Sequence, residues 1–510
     1  MNQTSRRTRR LILFIALSGM LVLACIGIFT SSADINVTNQ PASEGRPITP
    51  AGSLVRDATT RQPAVGSLPV DFVRSPDRDG PDKKGRYLLA VNSGFGIQFN
   101  AATNRAQQSL SVIDLNAQPE PVVIQNVYFP TPQSINVGVC FSPQAEADGS
   151  YTLYISGGFE NKIWTFRFRS GARTPVTPVS PGPNTAVEAP FIDVSGFATR
   201  APSPRYNDDH SPVYPTGLAI SADGETLFVA NNLDDSLGVI SDLRGSRTLK
   251  RIDLPGREGE HREAQEHFTY PYAVVSLPAR PPTARDPFAL ARKRAAKAYV
   301  SLWNDASIAV VELGTVEPLE RMQGSSNAPD SSNGISTHVK TYIPVARHPT
   351  AMILNSRKSR LYVVNSNADS VSVIDTATDL EVERINVRLS ENASLLGDSP
   401  EGLALSDDDT TLYVANAHSN SVALIRLSAQ ASAIATIPDP ASKSDSRSRV
   451  GGFIPTGQYP SAIAFAGGAL FVGNGKGTGF ENSSLVVNNS GRVPNAPNDR
   501  FPVGKGRGMG

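Results

Sequence analysis

Tyr214-Pro215-Thr216-Gly217-Leu218-Ala219-Ile220-Ser221 passes through Asp223-Gly224 into Leu227-Phe228-Val229-Ala230-Asn231, and then into Ser236-Leu237-Gly238-Val239-Ile240. The phrase is a Pro-led apolar strand, an Asp/Gly turn, a second strand ending in Asn, a polar loop and a third strand. Its alternation and its β-branched and aromatic content mark strands rather than helix. It recurs. His348-Pro349-Thr350-Ala351 opens a copy that continues with Leu361-Tyr362-Val363-Val364-Asn365 and Ser370-Val371-Ser372-Val373-Ile374-Asp375. Ser399-Pro400-Glu401-Gly402-Leu403-Ala404 opens another, with Leu412-Tyr413-Val414-Ala415-Asn416 and Ser421-Val422-Ala423-Leu424-Ile425.

Weaker copies start near Leu68-Pro69, Val137, Tyr270-Pro271 and Tyr459-Pro460, which makes seven in all. Each unit supplies three strands and usually a fourth, such as Glu381 to Val387, and a four-stranded sheet cannot bury both of its faces alone. Radial stacking solves this, so the fold expected is all-β, a seven-bladed β-propeller with four-stranded blades. Arg46 to Asp57 precedes the first copy as outer strands precede the others, and is expected to close the ring by completing the last blade. The boundaries expected are 1–33 for a signal or anchor, 34–64 for a linker, 65–477 for the propeller and 478–510 for an Asn/Gly/Pro-rich tail.

Composition agrees with a turn-dense β protein: 41 Gly, 39 Pro and 19% charged residues among 510. Lys plus Arg is 48 against 47 Asp plus Glu. That balance provides no long-range field for a polyanion, so no nucleic-acid partner is expected. Cys25 lies in an N-terminal apolar run, which leaves Cys140 alone in the folded part and excludes an internal disulfide or a Cys-based metal site. Arg6, Arg7, Arg9 and Arg10 followed by the uncharged Leu11 to Thr30 read as an export signal. Three fates stay open: cleavage after Ser31-Ser32-Ala33, an uncleaved anchor, or lipidation of Cys25, since Val22-Leu23-Ala24-Cys25 is similar to a lipoprotein box. The chain is expected to be extracytoplasmic, touching a membrane only through this segment.

The repeats resemble the YVTN β-propeller family, of which Leu-Tyr-Val-Ala-Asn and Leu-Tyr-Val-Val-Asn are variants, over roughly residues 65 to 475. Ile48-Thr49-Pro50-Ala51-Gly52 and Phe471-Val472-Gly473-Asn474-Gly475-Lys476-Gly477 are further similar to the propeller half of exported propeller/alkaline-phosphatase-like phosphoesterase fusions. The resemblance implies a binding face made of the loops that enter the innermost strands and those that join second to third strands. Tyr214, Tyr270, His348 and Tyr459 each stand directly before the Pro that opens an inner strand. They are therefore the candidate ligand-binding residues at one mouth of the channel, the alternative being packing between blades.

Asn92, Asn231, Asn365, Asn416 and Asn474 recur at one repeat position and read as architecture. The six histidines, at 210, 261, 267, 338, 348 and 418, lack zinc-site spacing. Asp407-Asp408-Asp409 and Asp234-Asp235 read as exposed turns, and residues 171–213, 255–269 and 314–346 as insertions between blades. Pro282 to Lys297 reads as a solvated basic helix. With no catalytic residues, metal ligands or cofactor motif legible, the expectation is a binding or scaffold module of the cell envelope, whose partner is an unknown protein, polymer or envelope component. Two alternatives are the recognition half of a truncated or split metal-dependent phosphoesterase, and a lactonase-like or quinone-linked propeller enzyme.

Overall fold

The computed structural model describes residues 65–66, 68–80, 82–94, 108–129, 133–178, 190–199, 213–257, 268–278, 296–313, 337–390, 397–432 and 447–475. The expected leader, with Cys25, the closing strand at 46–57 and the tail lie outside them. So do histidines 210, 261 and 267 and all but the last two residues of the expected basic helix.

Among the described residues, seven antiparallel sheets succeed one another along the chain. Their inner strands are Pro69–Arg74, Val139–Phe141, Pro215–Ile220, Pro271–Leu277, Pro349–Leu354, Pro400–Leu405 and Pro460–Ala466. Each packs against the next, and the seventh returns to the first. The fold is thus an all-β, seven-bladed propeller with a closed inner ring. Ser461 Oγ donates to the Pro69 carbonyl at 2.5 Å, and Gly467 N–H in blade 7 reaches the Asp82 carboxylate of blade 1 at 3.2 Å, across the closing seam.

The two-residue period of the strands divides the core into seven inter-blade layers. In blade 5, Leu361 and Val363 pack toward blade 4, whereas Tyr362 and Val364 pack toward blade 6. Leu227 and Val229 of blade 3 face blade 2 in the same way, and Phe228 and Ala230 face blade 4. Side chains that alternate across a pleated strand need two covered faces, which only flanking blades provide. Among the described residues, the layers on either side of blade 7 are thinner, each holding four buried apolar residues, because the described part of that blade has two strands.

Blades 1, 3, 4, 5 and 6 have four strands as expected, but blade 2 has five, since Val176–Pro178 and Phe191–Asp193 both pair with Lys162–Phe168. The stretch read as an insertion at 171–213 therefore supplies outer strands, and that at 314–346 contains the outer strand Thr337–Pro344 of blade 4. Lys297 is corrected too: it lies in the strand Ala296–Leu302, 7% exposed, where its ammonium meets the buried Asp379 carboxylate of blade 5 at 2.6 Å. Tyr299 donates to the same carboxylate at 2.7 Å.

The recurrent Asn residues are structural. Asn92, Asn231, Asn365 and Asn416 are fully buried, and the Nδ2 groups of Asn231 and Asn365 reach Ser236 and Ser370 on the third strands of their blades at 2.9 and 3.2 Å.

Candidate active site at the channel mouth

One local device builds the rim. Leu68, Tyr214, Tyr270, His348, Ser399 and Tyr459, each directly before an inner-strand Pro, have φ between 48° and 58°. A left-handed conformation costs an L-residue about 1–2 kcal/mol, so neighbouring bonds must hold it. Their carbonyls accept from the N–H groups of Ser93, Asn232, Trp303, Ser366, Ala417 and Gly475, all just past a second strand. On the other side, a turn residue of the preceding blade accepts the incoming N–H groups. Asn161 Oδ1 takes those of Val213 and Tyr214 at 3.0 Å, and Asp235 takes those of Thr269 and Tyr270 at 2.8 and 3.1 Å. Asp369 takes Asp398 and Ser399, and Asn420 takes Tyr459. Asp234 and Asp235 are accordingly buried, not exposed turn residues, as is Asp409, which binds the Ser356 N–H of blade 5 at 2.9 Å.

Blade 4 breaks the series. Its turn reads Leu302-Trp303-Asn304-Asp305-Ala306-Ser307 where blade 3 has Asn231-Asn232-Leu233-Asp234-Asp235-Ser236. Ala306 keeps the left-handed φ of 49° but has no side-chain acceptor for the chain entering at His348. Trp303 fills the place held elsewhere by Ser93, Asn232, Ser366, Ala417 or Gly475. The result is an aromatic series: Phe268 stacks on Tyr270 (5.3 Å between ring centres, 12°), Tyr270 meets the Trp303 edge (6.1 Å, 74°), and Trp303 stacks on His348 (3.7 Å, 9°). Of the four candidate mouth residues, Tyr270 and His348 are thus joined through Trp303. Tyr459 lies beside His418, at 5.9 Å.

Below the rim is a set of groups the repeat does not predict. The residues just after the inner-strand Pro are Val70, Thr216, Thr350 and Ser461 in four blades, but Tyr272 in blade 4 and Glu401 in blade 6. Burial pushes the Tyr272 hydroxyl above its ordinary value, and the charges of Glu401, Asp71, Tyr459 and Tyr214 add to this. Those groups belong to blades 6, 1, 7 and 3. A side chain of blade 4 senses blades 6, 7 and 1 only across the central channel, so Tyr272 faces that channel.

Burial raises the Glu401 carboxyl to about 7, against the Ser399 hydroxyl, which donates to it at 3.1 Å. Asp71, on the inner strand of blade 1, is likewise raised to about 7 by burial. Both side chains keep some surface toward the channel, but the surrounding protein removes most of their hydration, which disfavours the charged form. Carboxyls that change protonation near neutrality are suited to general acid–base work. Cys140 is not suited to nucleophilic chemistry, since burial drives its thiol up to about 12.

Among the described residues no three His, Cys, Asp or Glu side chains converge to hold a metal ion. Sequence reasoning missed Asp71, Tyr272, Glu401 and Trp303. The available signal was a side chain out of keeping with its repeat position, a Glu or Tyr after the Pro and a Trp after the second strand.

A family model described as "Lactonase, 7-bladed beta-propeller" matches residues 298–445, the stretch that holds Trp303, His348 and Glu401. This overturns the expectation of a non-catalytic binding or scaffold module. The misreading has a physical reason: a search for repeats passes over side chains that single blades alone carry. A search of curated proteins finds no significant match.

Solved structures of similar shape include a periplasmic gluconolactonase of Pseudomonas aeruginosa, 16% identical over 79% of this chain and 88% of that one, with a TM-score of 0.44. Hydrazine synthase of Kuenenia stuttgartiensis is 14% identical over 83% and 96%, with a TM-score of 0.44. A streptogramin B lyase is 12% identical over 81% and 92%, with a TM-score of 0.41. Such likenesses carry no argument about activity. Over residues 298–445, this chain is similar to the seven-bladed lactonase propellers.

Proposed function

We propose that the protein is a lactonase-like hydrolase whose active site is the channel beneath the aromatic rim. The family match over residues 298–445 carries the reading, and Glu401 and Tyr272, whose hydroxyl senses the Glu401 charge, give it a mechanism. Glu401, ionised above about pH 7, takes a proton from a water, whose oxygen attacks the lactone carbonyl carbon. The buried Tyr272 hydroxyl, which keeps its proton, donates to the oxyanion of the tetrahedral intermediate. Collapse breaks the ring C–O bond, and the proton held by Glu401 passes to the leaving alkoxide, so that lactone and water become one hydroxy acid.

Two further readings belong to this proposal. The repeats are of the YVTN kind, on the strength of Leu412-Tyr413-Val414-Ala415-Asn416 and its relatives. The chain works outside the cytoplasm, on the strength of the basic and apolar segment from Arg6 to Thr30. The test is hydrolysis of lactones by the full chain and by Glu401→Gln. Ring opening above the spontaneous rate, falling about 10²- to 10⁴-fold in the variant, supports the reading. No enzymatic ring opening, or an unaffected variant, contradicts it.

A further inference from the structure

Among the described residues, blade 7 ends at its second strand, Ala469–Asn474, whereas the second strand of every other blade pairs with a third. Leu470, Phe471 and Val472 are accordingly only partly buried, where Leu227, Phe228 and Val229 of blade 3 are fully buried. The gap shows on blade 6 as well. One outer-strand position faces the following blade: Ile252, Ile343 and Ile385 of blades 3, 4 and 5, opposite Leu237, Ile308 and Val371, are 8%, 3% and 4% exposed. Ile454 of blade 6 holds that position, opposite Val422, and is 38% exposed. In the complete junctions the covering layer includes a third-strand residue of the next blade, Val311, Ile374 or Ile425. An isoleucine that three other blades keep from water gains free energy when the same cover is supplied.

The chain beyond Gly475 holds a match. In blades 3, 5 and 6 the third strand opens on a Ser directly after the residue that clasps the next blade, as Asp235-Ser236, Asp369-Ser370 and Asn420-Ser421, and apolar residues follow. Asn482-Ser483-Ser484-Leu485-Val486-Val487 repeats this phrase. Asn231 and Asn365 each bind a Ser 5 positions on, and Asn92 binds one 17 positions on. Asn474 and Ser483 are 9 apart, within that range. Leu54-Val55, on the other side of the propeller, follows Gly52-Ser53 and has no clasp residue before it.

We propose that residues 483–488 form the third strand of blade 7, antiparallel to Ala469–Asn474 in the register of blade 6. Leu485 then lies opposite Val472 and Val487 opposite Leu470, as Ala423 lies opposite Val414 and Ile425 opposite Leu412. Leu470 and Val472 face blade 6, so Leu485 and Val487 cover Ile454, while Val486 joins Phe471 on the side of blade 1. Asn482 accepts the backbone of the chain entering blade 1 at Leu68, which has the left-handed φ, 54°, of the other entries. The expected end of the propeller moves from 477 to 488, whatever reaction the channel performs.

Two measurements on the full chain test this. In a Cys25→Ser background, Ala469→Cys/Asn488→Cys places thiols at the strand ends that correspond to Thr411 and Arg426 of blade 6, within disulfide reach for antiparallel partners. Cys140, whose thiol burial keeps protonated, does not compete. Mild oxidation should give an intramolecular disulfide in most chains. The thermal midpoint should fall by at least about 3 °C in Leu485→Asp, which puts a carboxylate into an apolar layer. It should also fall in Asn482→Ala and stay near the parent's in Asn482→Asp. The disulfide variant leaves both strand faces intact, so it decides the matter even where Leu485→Asp does not fold. A disulfide between two chains gives the edge to a second copy and overturns the proposal. No disulfide, or a parental midpoint in Leu485→Asp, also overturns it. A parental midpoint in Asn482→Ala overturns the clasp and the register that rests on it.

Discussion

The junction between blades 3 and 4 and that between blades 4 and 5 are formed by the same strand ends, yet they are closed differently. At the first, Asp235 accepts two backbone N–H groups and the Thr269 hydroxyl, and the incoming chain is fixed by charge-assisted bonds. At the second, Ala306 provides no such acceptor and the rim is held by ring stacking between Trp303 and His348. The missing clasp is offset at the opposite end of the strands, where Lys297, Tyr299 and Lys340 of blade 4 surround the Asp379 carboxylate of blade 5. A repeat protein can thus give up its architectural residue in one blade, provided that the same junction is secured elsewhere.

The largest effect on stability is expected from Asp379→Ala, which strands the buried Lys297 ammonium and should cost about 3–5 kcal/mol in denaturant unfolding. The double variant Lys297→Met/Asp379→Leu should regain most of that loss, because the cost lies in the unpaired charge. A single variant that unfolds like the parent would show that blades 4 and 5 are held by the rim after all.

Asp235→Ala should cost about 2–3 kcal/mol through its orphaned backbone donors, whereas Asp235→Asn should cost little, since Asn161 and Asn420 do the same task in other blades. Equal losses in both variants would assign the role to charge rather than to geometry. The smallest effect runs the other way. Ala306→Asn, at a φ of 49° that Asn tolerates, should add a clasp at His348 and raise stability by up to about 1 kcal/mol. It should also slow turnover if the loosened rim admits substrate.

The sign of the pH dependence follows from the channel acids. Asp71 and Glu401 hold their protons to about pH 7 in the folded chain, against ordinary values of 3.8 and 4.5. Between those limits the native state binds more protons than the unfolded state, so this contribution to stability is lost as pH rises from about 4 to about 7. Asp114 and Asp375 are shifted the opposite way, and their contribution is lost only at lower pH. The thermal midpoint should therefore be higher at pH 5 than at pH 8, and the difference should shrink in Asp71→Asn/Glu401→Gln. A flat profile in the parent would mean that neither carboxyl is desolvated.

What the sequence revealed follows the physics of repetition. Inner and second strands, covered on both faces, keep their apolar alternation and were legible down to Leu361-Tyr362-Val363-Val364-Asn365. Outer strands such as Phe191–Asp193 and Thr337–Pro344 are largely solvated, lose that pattern, and read as loop. Asp235 and Asp409 looked like solvated turn residues because a single unit does not show the neighbouring blade that buries them. The candidate residues Tyr214, Tyr270, His348 and Tyr459 stand out in the sequence because their position repeats. Glu401, Tyr272 and Trp303 were missed because each is an exception in one blade, and a pattern search treats exceptions as noise.

The assignment of Glu401 as the base is tested by the pH dependence of kcat/KM for ring opening of a lactone, in the parent and in Glu401→Gln. The expected rate rises with pH to a plateau above an apparent pKa of about 7, as Glu401 becomes the ionised base, and the variant is about 10²- to 10⁴-fold slower without that inflection. Ring opening that keeps both its rate and its pH profile in Glu401→Gln would contradict it.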